Sequence, residues 1–208
     1  MTDPVVTETE ATTPLEGVIQ DEVLRMYQEV ATQPRGEFHF YHGRPAAEMF
    51  GYRAEWLNRA PDGAVASFAG VGNPHLRSRL SGRETVLDLG SGAGLDSIIA
   101  GWQVGAAGCV IGVDLNPDML DRARQHAAVA GLSNVEFRQG RMEDIPAPDG
   151  SVDVVISNGV VNLSFRKRRV IEQVFRVLKP KGRVAITDIV SAKQLSQSIV
   201  NDPKLWAS

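Results

Sequence analysis

From Thr85 onward, short runs of β-branched and aliphatic residues alternate with stretches whose apolar positions recur every three to four residues. This alternation predicts stacked βαβ units around a mostly parallel sheet with helices on both faces, an α/β fold class. The strand-like runs are 85–89, 109–114, 135–139, 152–157 and 183–188, and the helical patterns are 95–103, 117–130 and 167–178. In the second helix Leu120, Ala123, Ala127 and Ala130 share one face, while Asp121, Arg122, Arg124 and Gln125 point outward. Its ends are marked as well. Asn116 is an N-cap, Pro117 fits the first helical position, where no amide bond is lost, and Gly131 can take the left-handed conformation that stops the helix.

The N-terminal third has a different pattern. Residues 20–31 and 45–58 read as helices, separated by a loop that holds Pro34, Gly36 and the string Phe38-His39-Phe40-Tyr41-His42-Gly43-Arg44; a glycine-rich link, Gly70-Val71-Gly72-Asn73-Pro74, follows. Residues 1–16 are mostly Thr, Glu, Pro and Val without either period, so they bury too little apolar surface to offset their ordering entropy and are expected to be disordered. The organisation predicted is a disordered tail over 1–16, a helical cap over 17–74 and a ligand-binding domain over 75–208.

Composition narrows the function. The chain has 208 residues, of which 43% are hydrophobic, enough for one α/β core. A net charge of −3 with interspersed signs gathers neither nucleic acid nor an anionic membrane, so small-molecule chemistry is favoured. No apolar run approaches the roughly 18 residues a membrane span needs, and the N-terminus lacks a secretory pattern, so a cytoplasmic setting is expected. The single cysteine, Cys109, excludes an internal disulfide and a cysteine-cluster metal site within one chain; no metal site is expected. The oligomeric state is left open.

Candidate chemistry lies at the first strand. Its run, Thr85-Val86-Leu87-Asp88-Leu89, leads into Gly90-Ser91-Gly92-Ala93-Gly94 and then a helix, which puts a glycine turn at the carboxyl end of a strand, where doubly wound sheets bind ligands. Asp114 closes the second strand 20 residues after Gly94, the spacing at which a carboxylate accepts hydrogen bonds from ribose hydroxyls. Both features would also serve NAD. Asp88, however, stands two residues before the first glycine, where a carboxylate would repel a pyrophosphate and is better suited to anchoring the glycine loop and a cationic ligand. S-adenosylmethionine, with a sulfonium and an ammonium group, meets that charge logic.

These segments, together with Ile111-Gly112-Val113-Asp114 and Val184-Ala185-Ile186-Thr187-Asp188, resemble successive motifs of the class I S-adenosylmethionine-dependent methyltransferases. The resemblance implies a Rossmann-like fold with S-adenosylmethionine as cofactor. Gly90, Ser91, Gly92 and Gly94 would pass its methionine part, and Asp114 would hold the ribose, with Leu115 beside it. Within Gly140-Arg141-Met142-Glu143-Asp144-Ile145-Pro146, Met142 would pack on adenine and Glu143 would accept from its exocyclic amine, although Arg141 stands where many class members have Asp. Ser157 and Asn158 would lie beside the transferable methyl group. Asn158, Gly159, His42 and Tyr41 are the acceptor-side candidates, and no residue is assigned as catalytic. Cys109 reads as packing, His126 as an outward helix residue, and Arg166-Lys167-Arg168-Arg169 as a solvated face.

A closer resemblance, from Tyr27 to the C-terminus, is to the arsenite methyltransferase group. It rests on Gly51-Tyr52, Ala60-Pro61-Asp62-Gly63-Ala64, the Gly70–Pro74 link, Val154 through Ser164, Phe175-Arg176-Val177-Leu178-Lys179-Pro180 and Ile186-Thr187-Asp188-Ile189-Val190. The resemblance implies thiolates that grip trivalent arsenic, one following the Ser-Asn pair and one in the glycine-rich link. Gly159 and Val71 stand at those positions, and a further family cysteine would lie just past Trp206-Ala207-Ser208. Trivalent arsenic requires soft ligands, so methylation of oxygen, nitrogen or carbon on a small metabolite is the alternative acceptor chemistry. A non-catalytic S-adenosylmethionine-binding protein and a nicotinamide oxidoreductase are further alternatives. Because only 20 residues follow Asp188, the closing antiparallel strand pair of the class is expected to be missing from a truncated or reduced chain, leaving an exposed sheet edge. The reaction expected is in-line attack on the sulfonium methyl near Asn158 and Gly159, beneath the 38–44 loop.

Overall fold

A computed structural model describes residues 17–19, 21–23, 25–26 and 41–192. After the helical residues 17–19, 21–23 and 25–26 come α1 (Gly43–Met49), α2 (Ala54–Arg59), α3 (Asp62–Ala66) and α4 (His75–Ser78). The remainder alternates: β1 (Thr85–Leu89), α5 (Leu95–Val104), β2 (Cys109–Asp114), α6 (Pro117–Val129), β3 (Val135–Gln139), β4 (Val152–Asn158), a 3-10 turn (Val161–Leu163), α7 (Lys167–Val177) and β5 (Leu178–Thr187). The sheet is parallel throughout, in the order β3-β2-β1-β4-β5. That order reverses direction at β1, so the crevice for a ligand opens above β1 and its neighbours.

The alternation of side chains along β1 divides the core. Leu87 and Leu89 face α7, packing with Ile111, Val113, Val155, Val170 and Val174. Val86 faces α5 instead, with Val110, Val154, Ile156, Ala100 and Val104. Asp88 shares that second face by its period of two. The α1–α3 segment does not build a core of its own. Ala46, Ala47, Tyr52, Leu57, Val65 and Phe68 join Leu95, Ile98 and Ile99 of α5 and Leu120, Ala123 and Ala127 of α6 in one cluster.

Local signals explain the elements. The Asn116 side chain accepts from Asp118 N and Met119 N, Pro117 occupies the first turn of α6, and Gly131 follows with φ +69°. The helix expected over 45–58 is two helices, because Gly51 at φ +79° donates back to Glu48 O and ends the first. The strand expected over 183–188 begins earlier, at Leu178. Lys181 at φ 68° interrupts it, and the register shifts between Val152 and Val154 of β4. Helical structure starts by residue 17 rather than 20; the rest of the 20–31 helix, the 1–16 tail and residues 38–40 lie outside the described residues. Among the described residues, β5 is a sheet edge, no helix is long and apolar enough to cross a membrane, and no cluster of metal-ligating side chains occurs.

Candidate functional site

The turn after β1 is held by its neighbour strand. Gly90 N and Ser91 N both donate to Val113 O, at 2.8 and 3.0 Å, and Gly92 N donates to Asp114 Oδ2 at 2.8 Å. Two of its glycines are required for different reasons. A Cβ on Gly90 (φ +76°) would meet the γ-methyls of Val160 at 2.5 and 2.6 Å, whereas Gly92 (φ +50°) faces open space, the side from which a ligand can reach the backbone. His126, expected to point away from the site, donates from Nδ1 to Ala93 O at 2.9 Å and so ties α6 to the turn.

Of the two carboxylates expected to flank the turn, the one expected to anchor the loop does not. Asp114, not Asp88, anchors the loop: its Oδ2 accepts from Gly92, its Oδ1 accepts from Asn116 N at 2.9 Å, the Leu115 amide is a third donor to the carboxylate, and of its roughly four lone-pair sites one is left. Burial raises its pKa against these hydrogen bonds. Asp88 lies behind the turn, 2% exposed, and accepts from Ser97 Oγ at 2.6 Å. Burial, and after it the negative charge of Asp96, pushes its pKa up to about 8. Spacing placed Asp88 correctly beside the turn, but it could not show that the strand's alternation aims the side chain into α5.

On the opposite wall Gly140 N donates to Asp114 O at 3.0 Å, which sets the following turn beside β2. Met142 is half-buried against the Leu87–Val113 cluster. Glu143 Oε1 accepts from Ser164 Oγ at 2.6 Å, and Arg141 Nε lies 3.6 Å from Oε2, so Glu143 is a held group rather than a solvated one. Leu115, Met142 and Glu143 all line the cleft.

Asn158, at the end of β4, is fully engaged. Its Oδ1 accepts from Val71 N, Gly72 N and Thr187 Oγ1, while Nδ2 lies 2.9 to 3.1 Å from Gly72 O, Tyr52 OH and Asp96 Oδ2. Gly159 follows at φ +79°, and a Cβ there would stand 3.3 Å from both γ-methyls of Val71. Tyr41 is 74% exposed and His42 precedes α1; neither side chain lines the cleft that holds Asn158. Sequence reasoning missed Tyr52, His75 and Asp96. Tyr52 OH donates to Asp96 Oδ1 at 2.5 Å, and His75 Nε2 lies 3.1 Å from the same oxygen. Asp96, two residues past Gly94, was legible only as an acid in the first turn of a helix.

The groups enclose a cleft of about 1280 Å³, open mouth included, walled by Ile19, Val23, Phe68, Val160 and Leu163 and floored by the glycine turn. No lysine or arginine among the described residues pairs with Asp88 or Asp96. An adenosine compound carrying positive charge therefore fits: Gly92 leaves the approach open, Asp114 keeps acceptor capacity, and the acids behind the turn have no lysine or arginine partner among the described residues.

Comparison with known proteins agrees with this geometry. Residues 80–208 match the family model described as a methyltransferase domain. The chain belongs to that family, and its parallel sheet and glycine turn are those of the class I S-adenosylmethionine-dependent methyltransferases. Within that class it is related to the arsenite methyltransferases. It is 46% identical over 157 residues to the arsenite methyltransferase of Halobacterium salinarum, spanning 76% of this chain and 40% of that protein. A ubiquinone/menaquinone biosynthesis C-methyltransferase of Salmonella arizonae is 37% identical over 107 residues, covering 50% of this chain and 42% of that one. Among solved structures, the arsenic(III) S-adenosylmethionine methyltransferase of Chlamydomonas reinhardtii superposes with a TM-score of 0.62 at 37% identity, covering 78% of this chain and 53% of that one. The chain thus spans less than half the length of the two curated relatives.

Proposed function

We propose that the chain binds S-adenosylmethionine above the carboxyl ends of β1, β2 and β4 and transfers its methyl group to a small-molecule acceptor seated beside Asn158 and Gly159. The observation that carries this reading is a glycine turn open to the cleft at Gly92, backed by buried Asp88 and Asp96 without a lysine or arginine partner among the described residues. The bound donor supplies a methyl group on positively charged sulfur, an electrophile that needs no further activation.

The chain's own residues bind and align. Asp114 takes a ribose hydroxyl with the acceptor capacity that Gly92, Leu115 and Asn116 leave free. Met142 and Leu115 pack on the adenine ring, and Glu143, held by Ser164, accepts from its exocyclic amine. Gly90, Ser91 and Gly94 let the methionine part pass close to the backbone, with Asp88 behind it. Ile19, Val23 and Phe68 keep the cleft apolar, which excludes water as a competing acceptor. Orientation is then the protein's main contribution to rate.

The acceptor is an organic molecule methylated on carbon, oxygen or nitrogen rather than trivalent arsenic. Val71 and Gly159 support this, since they occupy the two positions at which the family resemblance implies thiols, and Cys109 begins β2 at the end of the strand remote from the turn. The test is incubation with methyl-labelled S-adenosylmethionine and a panel of phenols, amines and carbon acids, plus arsenite with thiol. S-adenosylhomocysteine should form with an organic acceptor and not with arsenite. Turnover of arsenite would overturn the acceptor assignment, and no turnover with any acceptor would overturn the enzymatic reading.

A further inference from the structure

Behind the glycine turn, three side chains to which the sequence assigned no role, Tyr52, His75 and Asp96, form one hydrogen-bonded group with Asn158. Asp96 is the second residue of α5, and its side chain is 10% exposed. Its Oδ1 accepts from Tyr52 OH at 2.5 Å and from His75 Nε2 at 3.1 Å, and its Oδ2 accepts from Asn158 Nδ2 at 3.1 Å. Gln103 Nε2 lies 2.9 Å from His75 Nδ1 and fixes the ring with Nε2 facing Asp96. The three donors come from three segments: Tyr52 follows α1, His75 opens α4, and Asn158 ends β4.

Asn158 passes the connection on. It accepts from Val71 N at 2.9 Å and Gly72 N at 3.1 Å, and it donates to Gly72 O at 2.9 Å. Tyr52 adds an edge-on contact with Phe68, ring centroids 5.0 Å apart. The 67–73 segment, in which Ser67, Phe68 and Gly70 line the cleft, is therefore tied to the first turn of α5 through one carboxylate.

Stability alone does not account for this joint. A buried carboxylate without a lysine or arginine partner is expensive even when hydrogen-bonded, and apolar residues of the same shape usually hold a fold as well or better. Here a second carboxylate, Asp88, lies close enough for Asp96 to raise its pKa, which adds to the expense. What directional bonds provide, and apolar packing does not, is a fixed distance between the turn that carries the donor and the segment that faces the acceptor.

We infer that Asp96 is a positioning residue: acting through Tyr52, His75 and Asn158, it aligns the 67–73 segment, and with it the methyl acceptor, against the donor held at the glycine turn. The inference rests on the methyltransferase reading above. In-line transfer is sensitive to such alignment, and a displacement of about 1 Å is enough to slow it about a hundredfold.

The test uses Tyr52→Phe, which removes one donor and keeps the ring packing, beside Asp96→Asn. Three measurements are compared with the unmodified chain. S-adenosylhomocysteine affinity by calorimetry should stay within about threefold for Tyr52→Phe, because the donor-binding groups are untouched. Amide exchange at Val71 and Gly72 should quicken about tenfold, the consequence of one lost hydrogen bond in the chain that holds them. With the acceptor found in the panel, kcat should fall about tenfold for Tyr52→Phe, with its donor KM unchanged, and about a hundredfold for Asp96→Asn. Exchange at Val71 and Gly72 as slow as in the unmodified chain would overturn the inference, as would a loss of S-adenosylhomocysteine affinity matching the loss of kcat. Failure of the unmodified chain to bind S-adenosylhomocysteine would tell instead against the methyltransferase reading, a result separate from the variants' exchange rates.

Discussion

Val71 and Gly159 fill one another's space: both γ-methyls of Val71 lie 3.3 Å from the point where a Cβ on Gly159 would stand. The first belongs to the segment after α3, the second to the turn after β4, and Asn158 joins them by accepting from Val71 N. Two cysteines at these positions would converge, so the place where the family resemblance implies a soft ligand pair is filled here by a methyl-bearing side chain packed on a glycine.

Restoring the thiols tests that statement. The double variant Val71→Cys with Gly159→Cys should bind arsenite stoichiometrically, read as loss of titratable thiol, whereas the unmodified chain should bind none. Because position 159 has φ +79°, Gly159→Cys alone should lower stability by about 1–2 kcal/mol, read as the urea midpoint. A double variant that holds arsenite no better than the parent would show that the two positions do not converge as described.

The pH dependence of stability follows from Asp88. Its carboxyl is raised from an ordinary 3.8 to about 8, first by burial and then by the charge of Asp96. Between those values the folded chain keeps a proton that the unfolded chain has released. The contribution to stability is therefore complete below the lower value and lost as pH rises towards the upper one. Asp114, also raised by burial, adds a slope of the same sign. Without ligand, the urea midpoint should be lower at pH 8 than at pH 5, and Asp88→Asn should narrow the difference. A midpoint that climbs between these pH values, with or without the substitution, would contradict this protonation state.

What the sequence made legible was local. The boundaries of β1, β2 and β3 follow from their aliphatic runs, and the ends of α6 from Asn116, Pro117 and Gly131, because each signal acts within a few residues of its effect. Gly51 was visible too, yet the apolar periodicity on either side of it suggested one helix where its left-handed backbone makes two. The site divided along the same line. The glycine turn, Asp114 and Asn158 sit at strand ends that spacing locates. The Tyr52–Asp96 bond spans 44 residues and the His75–Asp96 contact 21, and no local pattern encodes either. That Asp114 rather than Asp88 anchors the loop has the same origin: which carboxylate reaches Gly92 depends on how β1 and β2 lie side by side, Asp88 opposite Gly112.

The central claim is that this cleft is an S-adenosylmethionine site with Asp114 on the ribose, and calorimetric titration of the chain with S-adenosylmethionine, repeated for Asp114→Asn, tests it most directly. One-to-one binding is predicted for the unmodified chain, with no heat from NAD. The variant should bind about ten- to a hundredfold more weakly, as loss of a charge-assisted hydrogen bond costs about 1.5–3 kcal/mol. No binding by the unmodified chain, or equal affinity in the variant, would contradict the claim.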